Sequence, residues 1–241
     1  MLKIVVIISI LKLKTMKKIV LIGALVIGAL SAQGQTLGFL LEGQAKAMQS
    51  ATMLLNKNIS DKGAEQDYAL GMGTTFGAGL NAYFGNVGLG IEINGGKHNG
   101  NYAGTIFGQS YTSQVTLKQL QIPILLKLKG ENGGYFEIGP QINRISSAKY
   151  TRNGLLSTAV DVKSNYVNYT SVVMGFGANI RLVKSIPLGL LIGMRLQYGF
   201  KDCQGVDALG NSLSNTIYYP TPANTMAVAA GLQLGLTYKF N

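Results

Sequence analysis

Apolar residues recur at every second position along much of this chain. The final stretch, "MAVAAGLQLGLTYKFN", sets Met226, Val228, Ala230, Leu232, Leu234, Leu236, Tyr238 and Phe240 on one face. The other face holds Ala227, Ala229, Gly231, Gln233, Gly235, Thr237 and Lys239. Period two is the mark of a β-strand with one apolar face. Seven earlier stretches repeat it: Leu37 to Met48, Leu70 to Phe84, Val87 to Asn94, "LKQLQIPILLKLKG", "GYFEIGPQIN", Val172 to Val183, and "PLGLLIGMRLQYGF". Leu125, Val173 and Leu191 are apolar exceptions on the polar side. The connections alternate in length. Gly85-Asn86, Gly130 to Gly134 and Lys184 to Ile186 are short, and Gly-Asn suits a two-residue primed hairpin. For Leu182 and Leu188 to share a face, an odd number of turn residues is required, and three fit. The segments near 49–68, 95–114, 146–168 and 201–224 are expected to be long loops rich in Gly, Asn, Ser and Thr.

Eight amphipathic strands in an open sheet would leave two unpaired edges, and closure into a barrel removes them. The apolar face then points either inward, as in a soluble ligand-binding barrel, or outward to lipid. Three features favour lipid. The polar face is rich in Gly and carries charges of mixed sign, Glu42, Lys46, Glu92, Lys127, Glu137, Arg181, Arg195 and Lys239, which suits a crowded interior of paired ions. Aromatic residues collect at the strand ends: Phe84, Phe136, Tyr238 and Phe240 on the short-turn side, and Tyr68, Tyr150, Tyr166, Tyr198 and Phe200 on the long-loop side. Such girdles anchor barrels at the two membrane interfaces. Strands of about ten residues also span a bilayer when tilted. The expected fold is therefore all-β, an eight-stranded antiparallel up-and-down transmembrane β-barrel. Tyr83, Gln121, Tyr135, Arg181, Arg195 and Gln233 are expected to plug it, because eight strands leave an interior that side chains fill. Lys118 and Arg144 break the apolar face near the long-loop end, where they are expected to lie beyond the apolar band; the alternative is that their long side chains reach headgroups and attract lipid phosphates.

Composition sharpens this picture. Of 241 residues, 47% are hydrophobic and only 13% charged, too apolar for a disordered chain. Gly is frequent, at 32, and Pro scarce, at 5. The formal charge is +11, but five of the lysines lie in the first 18 positions. From Gln35 onward sixteen basic side chains face ten acidic ones without clustering, so no nucleic-acid partner is expected. "MKKIVLIGALVIGALSAQGQ", starting at Met16, has the basic, apolar and small-residue order of a secretory signal peptide. Its apolar run, Ile19 to Leu30, is short for a membrane span. We expect residues 1–34 to form the signal peptide, with Met16 as the true start, and residues 35–241 the barrel domain. An uncleaved helical anchor is the alternative.

With the strands placed, the chain resembles the PorT-like outer-membrane β-barrel family. "LKQLQIPILLKLKG" running into "GGYFEIGPQINRI" is similar to that family's central strand–turn–strand unit, through Ile122, Pro123, Lys127, Gly139 and Pro140. "VVMGFGANIRL" resembles its sixth strand and "LGLTYKFN" its closing strand. The resemblance implies residence in the outer membrane of a Gram-negative envelope and partnership with outer-membrane lipid. It also implies that the barrel-assembly machinery reads Leu236, Tyr238 and Phe240 as a C-terminal signal, with Asn241 one residue beyond. A link to secretion or to an envelope protein partner is implied by the family alone.

Candidate chemistry is sparse. His98 is the single histidine, placed by its polar surroundings "NGGKHNGNY" in a surface loop. A lipid-modifying enzyme would need it beside Ser110, Ser113 or Asp161, whereas a solvated loop residue needs nothing. Catalysis is not expected. Cys203 is the single cysteine, so neither an internal disulfide nor a Cys-rich metal site is expected. "GLGIEINGG" carries a G-x-G spacing on a strand with no helix after it, which is no dinucleotide fingerprint. No cofactor is expected.

Overall fold

A computed structural model describes residues 38–154, 157–183 and 185–240. The signal-peptide reading of residues 1–34 lies outside them, as does Asn241. Among the described residues ten strands form one sheet: β1 Phe39–Asn56, β2 Asp67–Ala69, β3 Gly71–Phe84, β4 Val87–Ile106, β5 Gln109–Lys129, β6 Gly134–Asn153, β7 Thr158–Asp161, β8 Tyr169–Arg181, β9 Leu188–Gly199 and β10 Thr225–Phe240. Eight of them pair in chain order, β1-β3-β4-β5-β6-β8-β9-β10, and β10 returns to β1. Every pairing is antiparallel. The short β2 and β7 continue the lines of β3 and β8 beside the far ends of β4 and β6. The expected eight-stranded up-and-down barrel is the observed one.

The apolar face points outward. Phe76, Leu80, Leu89, Ile91, Ile124, Leu126, Ile192, Leu232 and Leu234 are exposed on the barrel's outside. Leu125, Val173 and Leu191, the three exceptions, are buried inside. At the short-turn end Phe39, Phe84, Tyr238 and Phe240 form an aromatic rim, with ring centroids 5.3 Å apart for Phe39–Phe84 and 5.2 Å for Tyr238–Phe240.

The long connections differ from expectation. β4 and β5 run on to Ile106 and Gln109, so the supposed loop 95–114 is a hairpin with a two-residue turn. Phe107 and Gly108 there both take left-handed conformations, φ 51° and 75°, the geometry of a primed turn. β1 likewise extends to Asn56 and β6 to Asn153. Strands of 18 to 21 residues exceed the 9–11 or so needed to cross a bilayer. The excess of about ten residues rises roughly 25 Å beyond the membrane at the usual rise and tilt. There the two faces exchange character. On β5 the outward face passes from Leu128, Leu126, Ile124, Ile122 and Leu120 to Lys118, Thr116, Gln114 and Thr112, while the inward face passes from Lys127 and Gln121 to Leu117, Val115 and Tyr111. Lipid surrounds one half of the wall and water the other, and each face follows its solvent.

Two further corrections have local causes. The β5–β6 register shifts between Lys118 and Gln119, where Ser146 is the extra residue of a bulge. Beyond it the inward positions of β6 change from Asn143 and Ile145 to Ala148 and Tyr150. A one-residue insertion flips the faces, so Tyr150 is buried and not part of an outer girdle. Tyr166 is buried too, and Tyr68 is half-buried with its ring 5.9 Å from Tyr102. Tyr198 and Phe200 remain outside. At the β8–β9 turn the Leu182 N–H donates to the Leu188 carbonyl at 3.1 Å, so the two residues do face each other, but across five residues, 183–187, and not three.

The wall is tight where β5 meets β6. The β4–β5 register is interrupted beside Pro123 and the β5–β6 register beside Gly139 and Pro140, where a proline brings no N–H to the ladder. A Cβ at position 139 would run into the Ile124 carbonyl oxygen and lie 3.1 Å from the Leu125 Cα. Gly139→Ala is therefore expected to abolish or sharply reduce the folded, heat-modifiable form on a gel. Gly95→Ala, with open space around its Cβ, should fold as the parent does.

Candidate functional site

The lumen holds most of the chain's mid-barrel charge. Arg195 on β9 lies between Glu92 on β4 and Glu137 on β6. Its Nη1 donates to Glu92 Oε2 at 2.8 Å, its Nη2 to Glu92 Oε1 at 3.0 Å, and its Nε to Glu137 Oε1 at 3.0 Å. Nη2 also contacts Glu137 Oε1. Lys127 reaches Glu137 Oε2 at 3.0 Å, and Lys46 reaches Glu92 Oε1 at 2.7 Å. Gln44 donates to the same Glu92 oxygen at 2.6 Å, and Asn94 to Oε2 at 3.1 Å. Glycines make room for this network: a Cβ at Gly175 would lie 2.6 Å from Glu137 Oε1, and one at Gly79 2.8 Å from the Glu92 Cγ. Nearer the short-turn end, Glu42 pairs with Lys129 at 3.3 Å and accepts from Asn81 and Asn179. The Lys129 ammonium sits 4.6 Å from the centre of the Tyr83 ring.

Of the eight charges assigned to the interior, Glu42, Lys46, Glu92, Lys127, Glu137 and Arg195 project into it and interact. Arg181 and Lys239 do not join them. Arg181 is exposed, and both line an open recess of about 260 Å³ at the short-turn mouth with Asn179 and Ser185. Among the other expected plug residues, Tyr83, Gln121 and Gln233 are buried, and Gln233 donates to the Tyr135 hydroxyl at 2.6 Å. The void in the middle of the lumen, bordered by Lys46, Thr75, Asn94, Gln121 and Arg195, has about 10 Å³, the space of a single water. Leu236, Tyr238 and Phe240 face outward on the last strand.

The far end of the barrel is closed by a feature the alternation does not encode. Segment 200–224 folds back into the opening and buries Cys203, Val206, Ala208, Leu213 and Tyr219 against Leu54, Tyr102, Val115, Leu117 and Tyr150 of the wall. Asp207 organises it. One carboxylate oxygen accepts from the backbone N–H groups of Leu209 and Asn211, at 2.9 and 2.8 Å. The other accepts from the Tyr219 hydroxyl at 2.5 Å and from Gln66 at 3.4 Å. The wall holds the segment from outside, since Ser113 and Tyr150 both donate to the Ala208 carbonyl, at 2.6 and 2.9 Å. Burial and the neighbouring Asp202 carboxylate push the Cys203 thiol up to about 12.

His98 is not in a loop. It points inward from β4, almost fully buried, with Nε2 3.1 Å from the Met53 carbonyl oxygen. Its cross-strand partner is Leu117, four positions along β5 from Ser113, a separation of about 13 Å at the usual strand rise. Ser110 and Asp161 are exposed on the hairpin and on β7. These groups are not brought together. Among the described residues no group of three or more His, Cys, Asp or Glu side chains is arranged to hold a metal ion.

No curated protein matches the chain. Among solved structures it is similar to Neisserial surface protein A (NspA), with 10% identity over 84% of this chain and 99% of that one and a TM-score of 0.40. It is similar to Ail, the attachment invasion locus protein of Yersinia pestis, solved with the heparin analogue sucrose octasulfate (11% identity, 85% and 100% covered, TM-score 0.36). It is also similar to the outer membrane protease OmpT from Escherichia coli (12% identity, 86% and 99% covered, TM-score 0.34). At these scores the likenesses carry no residue correspondence and no function. The family model for the outer membrane protein beta-barrel domain matches residues 34–204, well over half of the chain. The chain thus belongs to the outer membrane protein beta-barrel domain family and resides in the cell outer membrane.

Proposed function

We propose that this chain is a closed, non-conducting and non-enzymatic outer-membrane barrel whose role is structural or interactive, exercised through the capped wall that rises from the membrane. The single observation that carries this reading is the filled lumen. The Arg195–Glu92–Glu137 network blocks its middle and segment 200–224 its outer end. The finer kinship with PorT-like barrels rests on Ile122, Pro123, Lys127, Gly139 and Pro140 and on the closing strand. An envelope or secretion role through an outer-membrane partner is part of the same proposal. Burial of His98 against a backbone carbonyl supports a packing role for that residue.

Purified protein in planar bilayers should leave conductance at the level of bare lipid, and resolved single-channel steps would overturn the closed-barrel reading. Arg195→Met removes the shared cation from two buried carboxylates. It should lower stability by about 3–5 kcal/mol, read as a fall in the urea midpoint for loss of the heat-modifiable band. A maleimide should fail to label Cys203 in the folded barrel at pH 7 and label it fully after heating in detergent, because the thiol is both covered and neutral. Mass spectra of lipid from cells with and without the protein should show the same acylation pattern, and a changed pattern would end the non-enzymatic reading.

A further inference from the structure

The outward faces of β1, β3, β8, β9 and β10 carry no Lys or Arg. Those of β4, β5 and β6 carry four: Lys97, Lys118 and Arg144 at the edge of the apolar band, and Lys149 one step above Lys118, opposite Asp161 of β7. Lys97 and Lys118 are directly opposite in the β4–β5 ladder, and Arg144 lies across β5–β6 opposite Leu120, two positions from Lys118 on the same face. All three are exposed. Directly opposed residues have Cβ atoms about 5 Å apart, and like charges so placed destabilise the pair. Among the described residues none of the three forms an ion pair. The ten acidic residues of the chain lie elsewhere: Glu42, Glu92, Glu137 and Asp207 inside, Glu131 at a short turn, and Asp61, Glu65, Asp67, Asp161 and Asp202 beyond the far ends of the membrane-crossing strands or on β7. No carboxylate of the chain pairs with the trio, which leaves it open to an anion from outside.

Its position says which kind. Lys97 and Lys118 stand at the point where the outer face changes from leucine and isoleucine to Thr116, Gln114 and Asn99. This is the level of the outer-leaflet headgroups. Arg144 sits beside Leu120, flush with the acyl-facing surface. A guanidinium offers a planar fork to a phosphate, and two ammonium groups add point charges beside it. We propose that Lys97, Lys118 and Arg144 form a docking site on the barrel flank for the phosphate-bearing headgroup of an outer-leaflet lipid, whose acyl chains lie along Ile93, Ile122 and Ile124. A soluble polyanion would have to dip to the hydrocarbon edge to use Arg144, so the lipid is favoured. The inference rests on the outward-facing lipid surface and is independent of the closed lumen.

The test uses the full-length folded protein in phosphatidylcholine nanodiscs doped with either bisphosphorylated or enzymatically dephosphorylated lipid A, with bound lipid counted by native mass spectrometry. The intact protein should prefer the phosphorylated form by roughly tenfold to a hundredfold, the scale set by three cations at a membrane surface. Lys97→Gln/Lys118→Gln/Arg144→Gln should lose that preference while keeping its heat-modifiable fold. Lys57→Gln/Lys201→Gln, which removes cations elsewhere, should keep it. Equal retention of the two lipids by the parent, or a triple variant that still discriminates, would overturn the proposal. Displacement of the bound lipid by millimolar inorganic phosphate or by dextran sulfate would overturn the lipid as the occupant. Channel steps in a protein that still prefers the phosphorylated lipid would sink the closed-barrel reading and leave this one standing.

Discussion

The whole structure depends on the seam between its first and last strands. β1 and β10 pair from Leu41↔Phe240 to Asn56↔Thr225. Inside a bilayer no water is present to satisfy a free N–H or carbonyl, so any open edge there costs several kcal/mol per group. That single seam turns a meander with two such edges into a ring with none. Once the ring is closed, tilt and strand number fix a lumen too narrow for solvent, and the inward residues must pack against one another. The glycines beside Glu92 and Glu137 follow from that demand. So does the choice of an arginine, whose fork bridges carboxylates of two different strands, Glu92 of β4 and Glu137 of β6.

A second constraint is the change of solvent along the strands. Near the short-turn end the wall is apolar outside and ionic inside. Above the membrane it is polar outside and apolar inside, with Leu54, Tyr102, Leu117 and Tyr150 forming a core of the ordinary water-soluble kind. Segment 200–224 is needed because that core would otherwise be open to water at the top. Its buried Asp207 shows how such a lid is fixed: a carboxylate accepts the backbone N–H groups that a folded-in chain cannot otherwise satisfy.

The strands and their faces were legible because period two is written residue by residue and needs no partner. The alternation of Leu120 to Leu128 identifies the lipid face of β5 before anything is known of its neighbours. The extensions were hidden because outward Thr112, Gln114 and Thr116 have the composition of a loop. Only the inward Tyr111, Val115 and Leu117 betray the continuing strand. The bulge at Ser146 left no compositional trace, yet it reversed the side on which Tyr150 lies. In the lumen, parity found the charges but not their pairing, since Arg195 and Glu92 are separated by 103 positions. Arg181 and Lys239 had the right parity and the wrong height, because alternation fixes a face and says nothing of where the lumen ends. The lid was not legible at all: its anchor joins Asp207 to Gln66 across 141 positions.

The hairpin of β4 and β5 carries its ladder almost to the tip and turns over Phe107 and Gly108. Proteases cut extended, unpaired backbone, and antibodies raised to linear peptides require the same. Here the β4–β5 hairpin offers two residues of free backbone at its tip and then hydrogen-bonded sheet. Such a hairpin can change its outward side chains one by one while its backbone stays closed to cleavage.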